Sequence, residues 1–328
     1  MRTMLAALLC LAAFAAPAAE RAAKDPAAGY PSRPIRIIIT VVPGGGADVT
    51  SRAIAAKLTE AWGQQAIVDN RPGGNGVVGM DIAKHSTPDG HTLVLGTIGP
   101  VAVNPSLYSR LPYDPVKDYE AITRAVSALN VLVVHPSVPA KSVKELIAHA
   151  KANPGKLTYG SSGVGFADHL AGELFSSLAG VKMSHVPYKG GAPAMLDLVG
   201  GNIQLIFATV STALGSMKAN RIRPLAVTFA KRVPQFAELP TVAEAGVPGF
   251  TVDNWYGVLA PRGTPKPIVA KLHGQINAIL DMPDVKERLA GLGIFPFTTP
   301  TPEAFRDYIR SEIAKYGKVV KESGIRVD

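Results

Sequence analysis

The chain of 328 residues has a single cysteine, Cys10, and it stands within the first dozen positions. One thiol leaves nothing to pair with inside the chain, so no disulfide is expected. The seven histidines (85, 91, 135, 149, 169, 185 and 273) form no His-x-x-x-His or His-x-His pair. Ligand spacing for a metal is therefore absent, and no metal site is expected. Lys and Arg outnumber Asp and Glu by 34 to 25, a net charge of +9. These cations are scattered, with no run of five or six and no interleaved aromatics, which make up only 6% of the chain. Nucleic acid is not the expected partner, and the charge supplies mild steering of anions at most. No segment beyond the N-terminus approaches the roughly 20 apolar residues needed to span a bilayer. A linker rich in Pro or Ser is also missing. With 47% hydrophobic and 18% charged residues, the chain reads as globular and long enough for two domains.

The N-terminus is expected to lie outside the fold. Met1-Arg2, an apolar run over residues 5–16 and small residues at Ala16-Pro17-Ala18 read as a secretory signal peptide. Cleavage is expected near Ala18 or Ala19, giving a signal over residues 1–19 and a flexible Ala-rich leader over 20–29. Leu9 is not the small residue that lipidation of Cys10 would need. Arg2 is the only charge removed, so +9 becomes +8 and the mature chain has no thiol.

What is present is alternation. Strands are predicted at 35–42, 66–68, 92–96, 131–135, 157–159, 183–186, 203–207, 225–229 and 256–260. Helices are predicted at 47–62, 77–84, 143–152, 167–178, 192–199, 268–280, 283–289 and 302–323. Pro193 and Pro302 near first helical positions, Ser142 before a helix and Asp48 in a first turn mark starts. This order implies an α/β fold with largely parallel sheets. In the last helix Phe305, Ile309, Ile313, Tyr316 and Val320 recur at helical spacing, so one face should pack on a core.

Two strand–glycine–helix junctions stand out. The first reads Pro43-Gly44-Gly45-Gly46-Ala47-Asp48. Glycines between a strand and a helix leave backbone N–H groups uncovered at the positive helix end, which suits an anion. Gly44 and Gly46, with Asp69 further on, resemble half of a dinucleotide fingerprint, but Val49 stands where the third glycine belongs. A ligand-free structural turn is the other reading. The second junction reads Gly160-Ser161-Ser162-Gly163-Val164-Gly165-Phe166-Ala167-Asp168. A hydrolase nucleophile elbow needs Gly-x-Ser-x-Gly, and Val164 occupies the fifth position from Gly160. His169 and His185 lie near, without a visible triad. Asp48 and Asp168 read first as helix-start charges, and Asp48 alternatively as a brace for the loop or a bond to a ligand amine. Arg71, in the glycine-rich stretch 70–79, reads as structural before ligand-binding. The Trp255-Tyr256 pair reads as core before pocket wall. Two such halves would face each other across a cleft beyond the strand ends.

Several ordered motifs carry a resemblance. They include Tyr30-Pro31-Ser32-Arg33-Pro34-Ile35-Arg36, Asn70-Arg71-Pro72-Gly73 and Leu111-Pro112-Tyr113-Asp114-Pro115. Others are His185-Val186-Pro187-Tyr188-Lys189-Gly190 and Pro240-Thr241-Val242-Ala243-Glu244-Ala245-Gly246. With the two glycine junctions, these resemble the Bug family of periplasmic solute-binding proteins, the receptors of tripartite tricarboxylate transporters, over about residues 30–328. The resemblance implies a two-domain periplasmic-binding-protein fold with the cleft between domains, one domain being 30–129 plus 254–328 and the other 130–253. It implies a non-enzymatic, monomeric periplasmic receptor without cofactor that hands a small carboxylate to the membrane subunits of such a transporter. Docking on a sensor protein, or an exported α/β enzyme, are the alternatives. The implied ligand-binding residues are Gly44, Gly45, Gly46, Ala47 and Asp48, then Ser162, Gly163, Val164, Gly165, Phe166 and Ala167. Thr97, Ile98, Ala208, Thr209, Asp253 and Trp255 complete the set, with hinges expected near Asn130 and Asp253. Phe166-Ala167 replace the Thr-Ser that members often carry, Ala208 replaces Asp and Thr40 replaces proline. A preference for a less polar acid, aromatic or aliphatic, is therefore expected.

Overall fold

The computed structural model describes residues 25–323. The expected signal peptide, Cys10 and the first part of the leader lie outside the described residues. Residues 25–29 of that leader form a turn, in which the Ala28 N–H donates to Asp25 O at 2.8 Å.

The chain begins β1 (Ile35–Ile39), α1 (Gly46–Trp62), β2 (Ala66–Asn70), α2 (Val77–Lys84) and β3 (Thr92–Thr97). A wide helical turn at Gly99–Val103 leads into the short α3 (Asn104–Leu107), then β4 (Tyr119–Ala128) and β5 (Asn130–Val134). Next come α4 (Val143–Ala152), β6 (Thr158–Ser161), α5 (Ala167–Ala179), β7 (Ser184–Pro187) and α6 (Gly191–Val199). The remainder is β8 (Leu205–Thr209), α7 (Val210–Lys218), β9 (Arg223–Val227), β10 (Asn254–Pro261), α8 (Lys266–Asp281), α9 (Pro283–Ala290), β11 (Ile294–Pro296) and α10 (Pro302–Ser323).

Among the described residues, eleven strands make two sheets, in the orders β11-β4-β10-β3-β1-β2 and β7-β6-β8-β5-β9. Each sheet is mixed, which corrects the largely parallel expectation. In the first, β1 runs parallel to β2 and β3, while β10 and β11 are antiparallel to their neighbours. In the second, β6 is parallel to β7 and β8, and β5 is antiparallel to β8 and β9. The cause is the connectivity. The chain leaves the first sheet after β4 and re-enters it along β10, and these crossing strands lie side by side, with Asn254 opposite Ala128.

The strands are apolar on both faces because helices cover both. Along β1, Ile38 faces one core cluster, while Ile37 and Ile39 face another with α1 and α8 residues. Along β5, Leu132 and Val134 join the first cluster, whereas Val131 and Val133 pack with α6 and α7 residues. Among the described residues, no helix is long and apolar enough to cross a membrane.

Candidate functional site

β1 delivers the chain into the first glycine loop, and Gly45 is the N-cap of α1 without a side-chain capping bond. The opening N–H groups of a helix have no partner within it, so those of Gly46 and Ala47 face outward with the positive end of the helix dipole. Gly46 allows a close approach, since a Cβ there would stand 2.8 Å from Tyr256 Oη. The Asp48 carboxylate turns back under the loop. It accepts from the Gly44 N–H at 3.2 Å, Asn70 Nδ2 at 3.1 Å and Arg52 Nε at 2.9 Å. Burial pushes its pKa up, but the bonds from Arg52, Asn70 and Gly44 outweigh that and hold it below the usual carboxylate range.

The second loop opens α5 in the same way, with Phe166 at the N-cap and no capping side chain. Asp168 accepts from both the N–H and Oγ–H of Ser162, each at 2.6 Å, and from the His169 N–H at 3.0 Å. No cation pairs with it among the described residues, and burial raises its carboxyl to about 6 despite those bonds. The Gly165 N–H donates to His169 Nδ1 at 3.1 Å, so the ring proton sits on Nε2. Burial holds His169 neutral, pushed down to about 4, and likewise His185, whose ring lies tilted against it. The Ser162 hydroxyl is thus spent on Asp168 and does not meet His169.

The two loops enclose an inner chamber of about 60 Å³. Gly45, Gly46 and Ala47 line it from the first loop, and Ser162, Phe166, Ala167 and Asp168 from the second. Thr97 and Thr209 line it at strand ends. Thr97 is buried, and its Oγ1 has no hydrogen-bond partner among the described residues. An outer chamber of about 500 Å³ shares Val41, Val42, Ser162, Phe166 and Gly190 with the inner one and adds Gly163 and Val164. The inner chamber is far below the roughly 300–1,000 Å³ of ligand-sized sites, and the outer one falls within it.

Several expected residues stand off both chambers. Gly44 is tied to Asp48, which itself serves as a brace, and Gly165 is tied to His169. Ile98 and Ala208 are buried in core clusters. Asp253 pairs with Arg124 at 2.5 Å, beneath which lie the rings of Phe297 and Tyr308. Trp255 points away from the cleft, its indole N–H donating to Glu312 at 2.9 Å beside Phe305 of α10. Adjacent strand residues face opposite sides, so it is Tyr256 that reaches the inner chamber.

The structure also brings in residues not expected from the sequence. Asn130 and Asn254, the first residues of β5 and β10, line the chamber and meet through Asn254 Nδ2 and Asn130 Oδ1 at 3.0 Å. Asn254 Nδ2 also donates to Tyr256 Oη at 3.3 Å, and burial raises the Tyr256 pKa, so the phenol stays neutral. A third uncapped helix start, Gly190-Gly191-Ala192 of α6, completes the wall. Gly190 has φ +122°, and a Cβ there would stand 2.4 Å from Val42 Cγ2 of the first loop. Glycine therefore lets the two halves touch. Its signal was legible: a third strand–glycine–helix junction lies within His185–Ala192.

Comparison with known proteins agrees with this architecture. A family described as "Tripartite tricarboxylate transporter family receptor" matches residues 50–325. Protein BugT of Bordetella pertussis (strain Tohama I) is 36% identical over 91% of this chain and 91% of its own length. Rpa4515 of R. palustris, solved with adipate, superposes with a TM-score of 0.88 at 38% identity, covering 90% of this chain and 99% of that one. MatC (Rpa3494) of Rhodopseudomonas palustris, solved with bound malate, superposes with a TM-score of 0.83 at 29% identity, covering 89% of this chain and 100% of that one.

Proposed function

This chain belongs to the tripartite tricarboxylate transporter receptor family, a family of solute-binding receptors, and on that premise we propose that it captures a small carboxylate in the periplasm and delivers it to the membrane subunits of such a transporter. The carboxylate enters the inner chamber, where the starts of α1, α5 and α6 present N–H groups and positive dipole ends. Charge-assisted bonds of this kind contribute roughly 1.5–3 kcal/mol each. The observation that carries the reading is the convergence of three helix starts without capping side chains on one chamber.

The two bodies of the receptor are residues 30–129 with 254–328, and residues 130–253. They rotate about the crossings at Asn130 and Asp253, and ligand in the closed cleft shifts the open–closed equilibrium. The contact of Gly190 with Val42 supports a closed arrangement. Adipate and malate in the solved relatives support the ligand class. A thermal-shift screen of the mature chain against mono-, di- and tricarboxylates tests this reading. Ligand at 100 times its dissociation constant stabilises by about 2.7 kcal/mol. The absence of any shift across the panel, with amino acids and aromatic acids included, would overturn it.

A further inference from the structure

The inner chamber, at about 60 Å³, has room for about two waters. It takes a carboxylate head and little more, so the rest of a larger acid must lie in the outer chamber of about 500 Å³. The outer chamber offers apolar surface and almost no free polar side chain. Val41, Val42, Tyr108, Val164 and Tyr188 line it and are each partly exposed, so a ligand can reach them. The two phenols present rings and not hydroxyls. Tyr108 Oη donates to Gly74 O at 3.1 Å and Tyr188 Oη to Asp197 at 2.6 Å. The Ser162 hydroxyl is spent on Asp168 at 2.6 Å. Thr40 Oγ1 and Asn75 Oδ1 are covered, and Asn75 Nδ2 donates to Asn104 Oδ1 at 2.6 Å. Lys189 is the one charged side chain of this lining, exposed and without an ion-pair partner among the described residues.

We infer that the outer chamber is a subsite for an apolar tail, so that the preferred ligand is a monocarboxylate with an apolar chain, selected by Val164 and the rings of Tyr108 and Tyr188. This rests on the carboxylate reading above, with the head in the inner chamber and the chain passing Phe166, which walls both chambers. Each methylene moved from water onto these side chains adds a favourable transfer free energy. A second carboxylate at the far end loses hydration there. Among the lining side chains it finds only the Lys189 ammonium, and an exposed charge is screened. A diacid is therefore the weaker ligand at equal chain length.

Calorimetric titration of the mature chain at pH 7.5 with butyrate, hexanoate and octanoate, with the diacids adipate and suberate, and with hexanol tests the subsite. Affinity should rise about three-fold with each added methylene of the monoacids. Hexanoate should bind about ten-fold more tightly than adipate, and octanoate than suberate. Hexanol, which has the tail without the head, should bind at least ten-fold more weakly than hexanoate. Val164→Thr, which keeps the shape and sets a hydroxyl against the tail, should narrow the octanoate-to-butyrate ratio about three-fold. Affinity that stays level from butyrate to octanoate overturns the subsite alone, as does a diacid that matches its monoacid at both lengths or a ratio unmoved by Val164→Thr. Hexanol binding as tightly as hexanoate, or no binding of any acid, overturns the carboxylate reading and the subsite with it.

Discussion

The loops before α1 and α5 each end in an uncapped helix start, and each carries a buried aspartate in the first helical turn that reaches back to a loop N–H. They differ in how that aspartate is compensated. Asp48 has Arg52 and Asn70, and its pKa is lowered. Asp168 has neutral donors only, and burial raises it to about 6. The first loop, one jaw of the proposed carboxylate site, thus has its buried charge neutralised locally. The second carries an uncompensated charge at the chamber wall, one that titrates close to neutrality. Similar backbone chemistry has been given two different electrostatic settings, and the neighbouring charged side chain decides between them.

The largest expected effect tests what the jaws share. Gly45 has an extended backbone and open space around its Cβ position, so Gly45→Val should fold. The side chain would stand over the loop N–H groups, and the loss of two charge-assisted bonds weakens binding by roughly 100-fold or more. Titration that finds carboxylate affinity preserved would remove the first loop from the site.

The next effect separates the jaws. As pH falls from 7 to 5, Asp168 gains a proton and the chamber loses a negative charge, so carboxylate affinity should rise by about ten-fold at most. In Asp168→Asn the affinity should be high and flat over that window. A wild-type affinity independent of pH would show that Asp168 does not face the ligand.

Stability provides a third contrast. The folded pKa of Asp168 lies above its ordinary 3.8, so its contribution to stability is present at low pH and is lost as pH rises from about 4 to 6. Asp48 is depressed, so its contribution is present above its ordinary value and is lost as pH falls through the lowered one. At pH 7, Asp48→Asn should therefore cost about 1–2 kcal/mol, and Asp168→Asn distinctly less, in urea unfolding. The reverse order would contradict the assigned compensation. The buried neutral His169 and His185 add a separate loss of stability as pH falls from about 6.5 toward 4.

The smallest effect concerns Phe166. Phe166→Ser replaces a buried ring at the start of α5 with a capping oxygen. The same oxygen competes for the helix N–H groups and opens the wall between the chambers. Preference should shift a few-fold toward more polar acids; an unchanged ranking of acids would exclude Phe166 as a selector.

Most strands and helices could be read from periodicity and start signals, and α2, α4 and α10 match their expected bounds. β4 was not legible. Its ten residues include Glu120, Arg124 and several alanines, which argue against a buried strand. Yet Arg124 is covered by Phe297 and Tyr308 and paired with Asp253, and Glu120 pairs with Arg306. α7 escaped notice because Ser, Thr and Gly are poor helix formers, and its place is set by packing on β5 and β8.

The sequence by itself determined the glycine junctions, the helix starts behind them and the family. Those are local properties: a glycine pair between a strand and a helix exposes N–H groups wherever the fold puts it. Tertiary structure decided what the junctions face. It turned Tyr256 toward the chamber and Trp255 away, because sheet register selects which alternate residues face which side. It joined Asn130 to Asn254 across 124 positions. It left Thr97, Thr40 and Asn75 with buried atoms unpaired, a condition that exists only once every neighbouring donor and acceptor has been placed.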